Sequence, residues 1–586
     1  MRKVISLSLL LLVNISIYAQ TGTVKGRVFN MKTNEPLEFA TIRIQGTVNG
    51  TTTDQEGNYV IESNPGFYRL EVSYVGFETT LSPEIHIQGN QTVFIDVAVP
   101  ESSTLIDEVV VRPTMNLKKI ESPVSFLTLG VRDIEKGAGV NRDVSKALQS
   151  LPGVGATDPN RNDLIVRGGG PSENVFYLDG IEIPIINHFA TQGASGGVVG
   201  IINPDFVREV NFYTGAFPAN RPNALSSVMD IRQKDGSRDR IHTQLGIGAS
   251  DAAFTMDGPI GDKSTFIVSA RQSYLQLLFK FIGLPFLPTY NDFQVKYKYQ
   301  IDPKNELSII GLGAIDNMTL NIDLQEDGTE SQRYLLDYLP VYQQWNYTIG
   351  AVYKHFSTNY FDTWVLSRNM LRNKNFKYPD NDESQPKISD YRSDEAENKF
   401  RFERSYPDLP VKLLIGAGVA YSHYENETNR KVFSNGSLND LIYNTKLDLW
   451  SYQAFIQASD TYLNNRLSLS LGLNTIGNNF NNNMKNPLNQ VSPRFSASYR
   501  LTDKWDINAN VGRYTMRPAY TTLGYKDASG LFINKNENLK HIISNQAIAG
   551  FAYEPNFKLR FNLEGFYKLY NNYPLSVTDG MSIAGK

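Results

Sequence analysis

Over the second half of the chain, apolar and polar residues alternate almost one for one. Phe293, Val295, Tyr297, Tyr299 and Ile301 are interleaved with Gln294, Lys296, Lys298 and Gln300. Leu467, Leu469, Leu471 and Leu473 alternate with Ser468, Ser470 and Gly472, and Trp505, Ile507, Ala509 and Val511 with Asp506, Asn508 and Asn510. Leu559, Phe561, Leu563, Tyr567 and Leu569 alternate with Arg560, Asn562, Glu564 and Lys568. A period of two is the signature of a strand with one apolar and one polar face. With their flanks these runs reach about nine or ten residues, the length at which a tilted strand crosses a bilayer. The pattern predicts a transmembrane antiparallel β-barrel with one face toward lipid and the other toward a polar interior. Tight turns recur at residues 258–262, 302–305, 407–410, 463–465, 502–504 and 554–556, and long polar connections at 373–397, 426–445 and 520–540. Short turns on one side and long loops on the other give the orientation: short side periplasmic, long side outward. Counted this way the segment 237–586 holds roughly fifteen strands. Because single-chain bacterial barrels close on an even number, it is expected to be part of a larger barrel of about 22.

Two other patterns precede it. Residues 22–100 carry short alternating runs, Thr23–Val28, Ala40–Ile44 and Tyr68–Val72, separated by turn chemistry at Asn49-Gly50, Asp54 to Gly57 and Asn64-Pro65-Gly66. Short strands at this spacing predict a small β-sandwich. Residues 123–236 are mixed α/β. Val144, Ala147, Leu148 and Leu151 fall on one helical face that Pro152-Gly153 stops, and strands are expected at Leu164–Arg167, Asn174–Gly180, closed by a turn, and Val207–Gly215. Between the two lies residues 101–122, holding the β-prone run Ile106-Asp107-Glu108-Val109-Val110-Val111. On pattern alone this run is either the last strand of the sandwich or a segment that adds to the open edge of another sheet. The first residues read as an export signal, 1–19: Arg2 and Lys3, an apolar run, then the small residue Ala19. No later stretch reaches about 18 uninterrupted apolar residues; the best rival, 275–288, contains Lys280, Pro285 and Pro288.

Composition narrows the functions. Lys plus Arg number 57 against 60 Asp plus Glu, net −3, which is not the footprint of a nucleic-acid binder. There is no cysteine, which excludes disulfides, thiolate metal sites and cysteine nucleophiles. The 32 Tyr, 31 Phe and 44 Gly suit strands and turns.

Several motifs resemble known families. Gly26-Arg27-Val28, the segment Thr53 to Tyr59 and Ser73-Tyr74-Val75-Gly76-Phe77 resemble the carboxypeptidase-regulatory-like domain, a prealbumin-type sandwich. Downstream, the helix at 143–152, Ile165-Val166-Arg167-Gly168-Gly169-Gly170, Phe176-Tyr177-Leu178-Asp179-Gly180, and Arg208-Glu209 with Gly215 resemble the plug domain of a TonB-dependent receptor. Ser492-Pro493-Arg494-Phe495 resembles its mid-barrel strands. In that family Arg167, Gly168, Gly169, Asp179, Gly180, Arg208, Glu209 and Gly215 are plug-motif positions, and Ile106 to Val111 becomes the TonB box. The resemblance implies an outer-membrane protein whose N-terminal domain is periplasmic. It implies TonB, with the ExbB/ExbD energy-coupling complex, as partner, membrane lipid around the barrel, and a surface lipoprotein as a further possible partner. The expected function is active import of a scarce nutrient: a ferric siderophore or other metal chelate, a glycan or a peptide. The alternative is a receptor acting mainly in signal transduction, although the sandwich does not resemble the α/β signalling domain of that role.

Other candidates are weaker. None of the six histidines, His86, His188, His242, His355, His423 and His541, has metal-ligand spacing, and His188 reads as structural or solvated rather than substrate-facing. Gly168-Gly169-Gly170 lacks the lysine and hydroxyl residue of a phosphate loop and reads as a tight turn. No nucleophile, base and metal constellation is present, so no enzyme and no cofactor are expected.

Overall fold

The computed structural model describes residues 21–102, 122–159, 161–192, 196–248, 250–434, 437–527, 529–556 and 559–575. The export signal and the TonB box therefore lie outside the described residues. The described chain forms two compact units, one built on residues 36–102 with the strand before them, the other on the remainder.

The first unit is a sandwich. Gly22–Asn30 pairs with Asn58–Ser63, Thr92–Phe94 and Val97–Val99, and a second sheet runs in the order Gly50–Thr52, Thr41–Ile44, Leu70–Ser73, Thr80–Leu81. Alternation decides what lies inside. Every second residue of Gly22–Asn30 is buried, with Val24 and Val28 at 0% exposure. Buried Tyr59 satisfies its hydroxyl by donating to Ile95 O at 2.7 Å. The run 68–72 is not one strand. Gly66–Tyr68 pairs with Ile85–Ile87 and Leu70–Ser73 with Thr41–Ile44, so the chain changes partner at Arg69.

The second unit contains a 15-stranded antiparallel sheet in strict sequence order, from His242–Ile247 to Leu559–Asn571. Its burial is inside out. Leu471, Val511, Phe561 and Leu563 are 56–62% exposed, whereas Gln294, Asn508 and Asn510 on the opposite face are at most 5% exposed. Apolar side chains facing outward are stable only in hydrocarbon, and there each strand must pair its backbone groups with a neighbour. Among the described residues no helix is long and apolar enough to cross a membrane. Leu275–Phe281 is a short exposed helix on an outer loop.

Two expectations change. Residues 426–445 are not a long loop: Lys412–Ser434 and Ser437–Tyr462 stay paired in register up to Ser434 and Ser437. Likewise 373–397 is mostly strand, with its loop confined to 378–388. Above the membrane a strand needs no apolar face, so its alternation vanishes while its hydrogen bonds persist. The wall's inner face is also not uniformly polar. Ile310, Leu312, Val352, Val365 and Leu371 join Ile181, Ile183 and Ile185 in one hydrophobic core.

Those isoleucines belong to an inner domain with a five-stranded sheet in the order Phe126–Leu129, Val207–Tyr213, Ser227–Gln233, Asn174–Leu178, Ile181–Ile183. Its helix Val144–Gln149 is capped by Asp143, which accepts from Ser145 N and Lys146 N at 2.8 and 3.3 Å. The helix buries Val144, Ala147 and Leu148. The expected strand at 164–167 shrinks to Ile165–Val166, paired with Val154–Gly155, because the chain turns sharply at Arg167 (φ 50°) and Gly168 (φ 78°).

Candidate functional site

The inner domain touches wall strands from Ser264–Ser273, third in the sheet, to Leu559–Asn571, its last. The sheet therefore curves around it, and the interface between them is the candidate site.

Much of that interface is wall side chains bonding to the inner domain's backbone. Gln344 exchanges two bonds with Ala190, Nε2 donating to its carbonyl at 2.9 Å and Oε1 accepting from its N–H at 3.0 Å. Ala219 is held the same way by two residues: Gln457 Oε1 accepts from its N–H and Asn474 Nδ2 donates to its carbonyl, both at 2.8 Å. Gln546 donates to Leu225 O at 2.6 Å. Arg494 Nη1 lies 3.1, 2.5 and 3.2 Å from the carbonyls of Phe217, Pro218 and Arg221, with its guanidinium 4.8 Å over the Tyr514 ring. The neutral bonds among these have a net worth of about 0.5–1.5 kcal/mol each because water replaces them when they break. A domain held this way is firmly seated as a whole yet can be detached bond by bond.

Ion pairs add fixed points. Arg167 donates to Glu564 at 2.5 Å and to Ser125 Oγ at 3.0 Å. Asp179 accepts from Gln233 N at 2.9 Å and lies 3.1 Å from Lys296 Nζ. Lys296 continues to Asp235 at 2.7 Å, and Asp235 to Lys298 at 2.8 Å. Burial would raise the Asp235 pKa, but the two ammonium groups hold it well below the usual carboxylate range. Arg221 sits 4.5 Å over the Tyr177 ring, 3.1 Å from Asp230 and 3.6 Å from Glu403 of the wall. Its burial, which disfavours charge, is more than offset by those carboxylates, and its pKa is raised.

The motif glycines are explained by close approach. A Cβ on Gly169 would lie 1.5 Å from Ser226 Oγ, and one on Gly215 would lie 2.4 Å from Ile548 Cδ1 of the wall. Gly180 has φ 90°, and its carbonyl accepts from Arg401 at 2.7 Å. Among the described residues no hydrogen bond or ion pair joins Arg208 or Glu209 to the wall. They sit at a bulge in the inner sheet, Glu209 accepting from Asn211 at 3.2 Å and Arg208 Nε buried without a hydrogen-bond partner. Sequence reasoning missed the wall partners, Glu564, Lys296, Arg401 and Glu403. Their only signal was polar positions in the alternation.

On the outward side of the inner domain lies a cavity of about 110 Å³, lined by Glu182 and Asn223 of that domain, Lys399 and Gln453 of the wall, and Arg517 and His541 of an outer loop. Its charges are internally paired. Lys399 bridges Glu182 at 2.8 Å and Glu397 at 2.6 Å, and Arg517 lies 3.6 Å from Glu397 and stacks 3.6 Å over the Tyr520 ring. Arg517 N donates to Asn223 Oδ1 at 2.8 Å, so the loop touches the inner domain directly. Burial and the nearby Arg517 push the His541 imidazole down to about 4, which keeps it neutral.

A family model described as "TonB dependent receptor-like, beta-barrel" matches residues 251–585. One described as "TonB-dependent Receptor Plug Domain" matches 118–225, and one described as "CarboxypepD_reg-like domain" matches 24–111, a span that takes in residues 106–111. "TonB-dependent receptor SusC" of Bacteroides thetaiotaomicron is 30% identical over 269 residues, 43% of this chain and 25% of that protein. "TonB-dependent receptor P39" of Formosa agariphila is 24% identical over 282 residues, 44% of this chain and 26% of that protein. The matched stretch is thus about a quarter of the length of either relative. Among solved structures, the siderophore receptor PirA from Acinetobacter baumannii superposes with a TM-score of 0.57 at 14% identity, covering 78% of this chain and 74% of the other. At that identity the likeness is one of fold.

Proposed function

The chain belongs to the TonB-dependent receptor family, and on that premise we propose that it imports a scarce nutrient across the outer membrane with energy supplied by TonB. The observation that carries this reading is the stopper: a domain with its own five-stranded sheet inside a curved wall, held by exchangeable bonds, buried ion pairs and a shared hydrophobic core. Such a domain blocks passive passage and can be displaced by a pull. In this reading Ile106-Asp107-Glu108-Val109-Val110-Val111 is the handle, adding as a strand to the edge of TonB's sheet, where backbone hydrogen bonds give a grip independent of cargo. TonB draws on the ExbB/ExbD complex at the inner membrane, since the outer membrane has no energy source of its own. The sandwich lies in the periplasm, and cargo enters from the long-loop side through the cavity bounded by Glu182, Lys399 and Arg517. The cargo is a metal chelate such as a ferric siderophore, a glycan or a peptide. The role is transport and not catalysis.

Binding tests the handle. The C-terminal domain of TonB from the same host should bind the whole receptor in lipid nanodiscs and lose that binding when residues 106–111 are deleted or Val109→Pro removes a backbone donor. Unchanged binding to the deletion would remove this segment from the mechanism.

A further inference from the structure

The proposal concerns His188, which sequence reasoning left as structural or solvated and which the structure buries completely. It lies on the short strand Asn187–His188 of the plug, paired with Val199–Gly200. Its Nδ1 is 2.6 Å from Asp316 Oδ1 on the wall strand Asn305–Leu320, and its Nε2 is 3.1 Å from Asp292 Oδ2 on Phe286–Asp302. The three side chains are wholly buried. The Tyr290 ring stacks on the imidazole at 4.2 Å.

A neutral imidazole has one N–H, so one of its nitrogens would aim a lone pair at a carboxylate with no water to intervene. Only the imidazolium donates to both. Charge gives the same answer. Arg271 Nε lies 2.9 Å from Asp292 Oδ1, and Asp316 Oδ2 accepts from Phe189 N at 2.8 Å. Asp292 and Asp316 together are balanced by Arg271 and a protonated His188, whereas a neutral His188 leaves one negative charge over. The other titratable groups beside the segment are engaged: Tyr290 OH donates to Asp251 at 2.6 Å, Tyr342 OH donates to Ala190 O at 3.2 Å, and on the plug side Asp143 takes Gly200 N and Asn162 Nδ2. Burial pulls the His188 pKa down, but Asp316 and Asp292 more than reverse this and raise it above its ordinary value.

We propose that His188 is a positioning residue held as a cation, pinning residues 187–190 of the plug to the wall, so that lifting them off releases a proton. When the segment leaves, water reaches the ring and its pKa returns to about 6.5. Above that pH the imidazolium loses its proton to solvent as neutral imidazole. The sign follows from linkage: the pin contributes its full stability below about pH 6.5 and loses it as pH rises through the elevated pKa of the seated state. Plug release therefore becomes easier with rising pH, by up to tenfold per unit for a single proton. This holds whatever the cargo.

The test is to hold the whole receptor, in lipid nanodiscs, under constant force applied at its N-terminus, and to measure the ratio of released to seated plug between pH 6 and 8.5. The unmodified chain should show a ratio rising several-fold per pH unit. His188→Gln should be shifted toward release with most of that slope lost, and His188→Lys, which keeps the charge, should lose it too but sit more tightly than Gln. If neither His188 variant folds, Asp316→Asn takes their place, lowering the seated pKa and narrowing the pH window. A flat profile in the unmodified chain, or one whose slope survives His188→Gln, would overturn the proposal.

Discussion

Removing Arg494 from the wall should loosen the plug more than removing any neutral wall side chain. The guanidinium projects from Ser492–Thr502 into the plug turn at 217–221 and reaches three backbone carbonyls within 3.2 Å. Its Nη1 carries two protons, so two full charge-assisted bonds are the ceiling, each worth about 1.5–3 kcal/mol. The cost of keeping a wholly buried guanidinium out of water offsets part of that sum, leaving about 3 kcal/mol. Arg494→Ala should then shift the seated-to-released equilibrium by about a hundredfold, at about 1.4 kcal/mol per tenfold. Hydrogen exchange of residues 216–221 in the whole receptor in nanodiscs reads this directly. Protection should fall by about two orders of magnitude in Arg494→Ala and by clearly less in Gln457→Ala, which removes one neutral bond to Ala219. Protection within twofold of the parent in Arg494→Ala would show that the guanidinium merely fills space.

Two further outcomes are expected. Gly169→Ala would place its Cβ against Ser226 Oγ and within 2.5 Å of Glu173 Oε2, and should cost about 2 kcal/mol of plug stability by overpacking, with Ser226→Gly recovering part of it; an unchanged melting temperature would contradict the packing. Val511→Arg puts a charge on the exposed outer face near mid-strand, and should cost about 2–4 kcal/mol when the chain refolds into lipid vesicles from urea; no cost would mean that this face does not meet lipid.

The barrel was legible because lipid imposes an apolar residue at every second position, as at Leu467 to Leu473 and Trp505 to Val511. Legibility stopped where lipid stops. Residues 426–434 and 437–445 are paired strands without the alternation: 426–431 are polar without a break, and the exposed Leu438, Leu441 and Ile442 do not fall at every second position. It also blurred where the plug packs: Ile309 and Ile310 point to opposite faces and both are apolar, one toward lipid and one into the plug core. The plug motif glycines and Asp179 could be found by their turn chemistry, a local property. Their partners could not, because Arg494 and the turn it grips are 273–277 residues apart, and His188 meets Asp292 and Asp316 only once two wall strands stand side by side.

Uptake tests the central claim most directly. In the native host, strains carrying the intact gene or the gene lacking residues 106–111 would be supplied with labelled ferric chelates, glycans and peptides under iron starvation and carbon limitation. The account predicts accumulation of one cargo class by the intact strain and its loss in the deletion strain, with surface binding of that cargo and receptor level preserved. Equal accumulation in both strains would contradict TonB-coupled import by this protein.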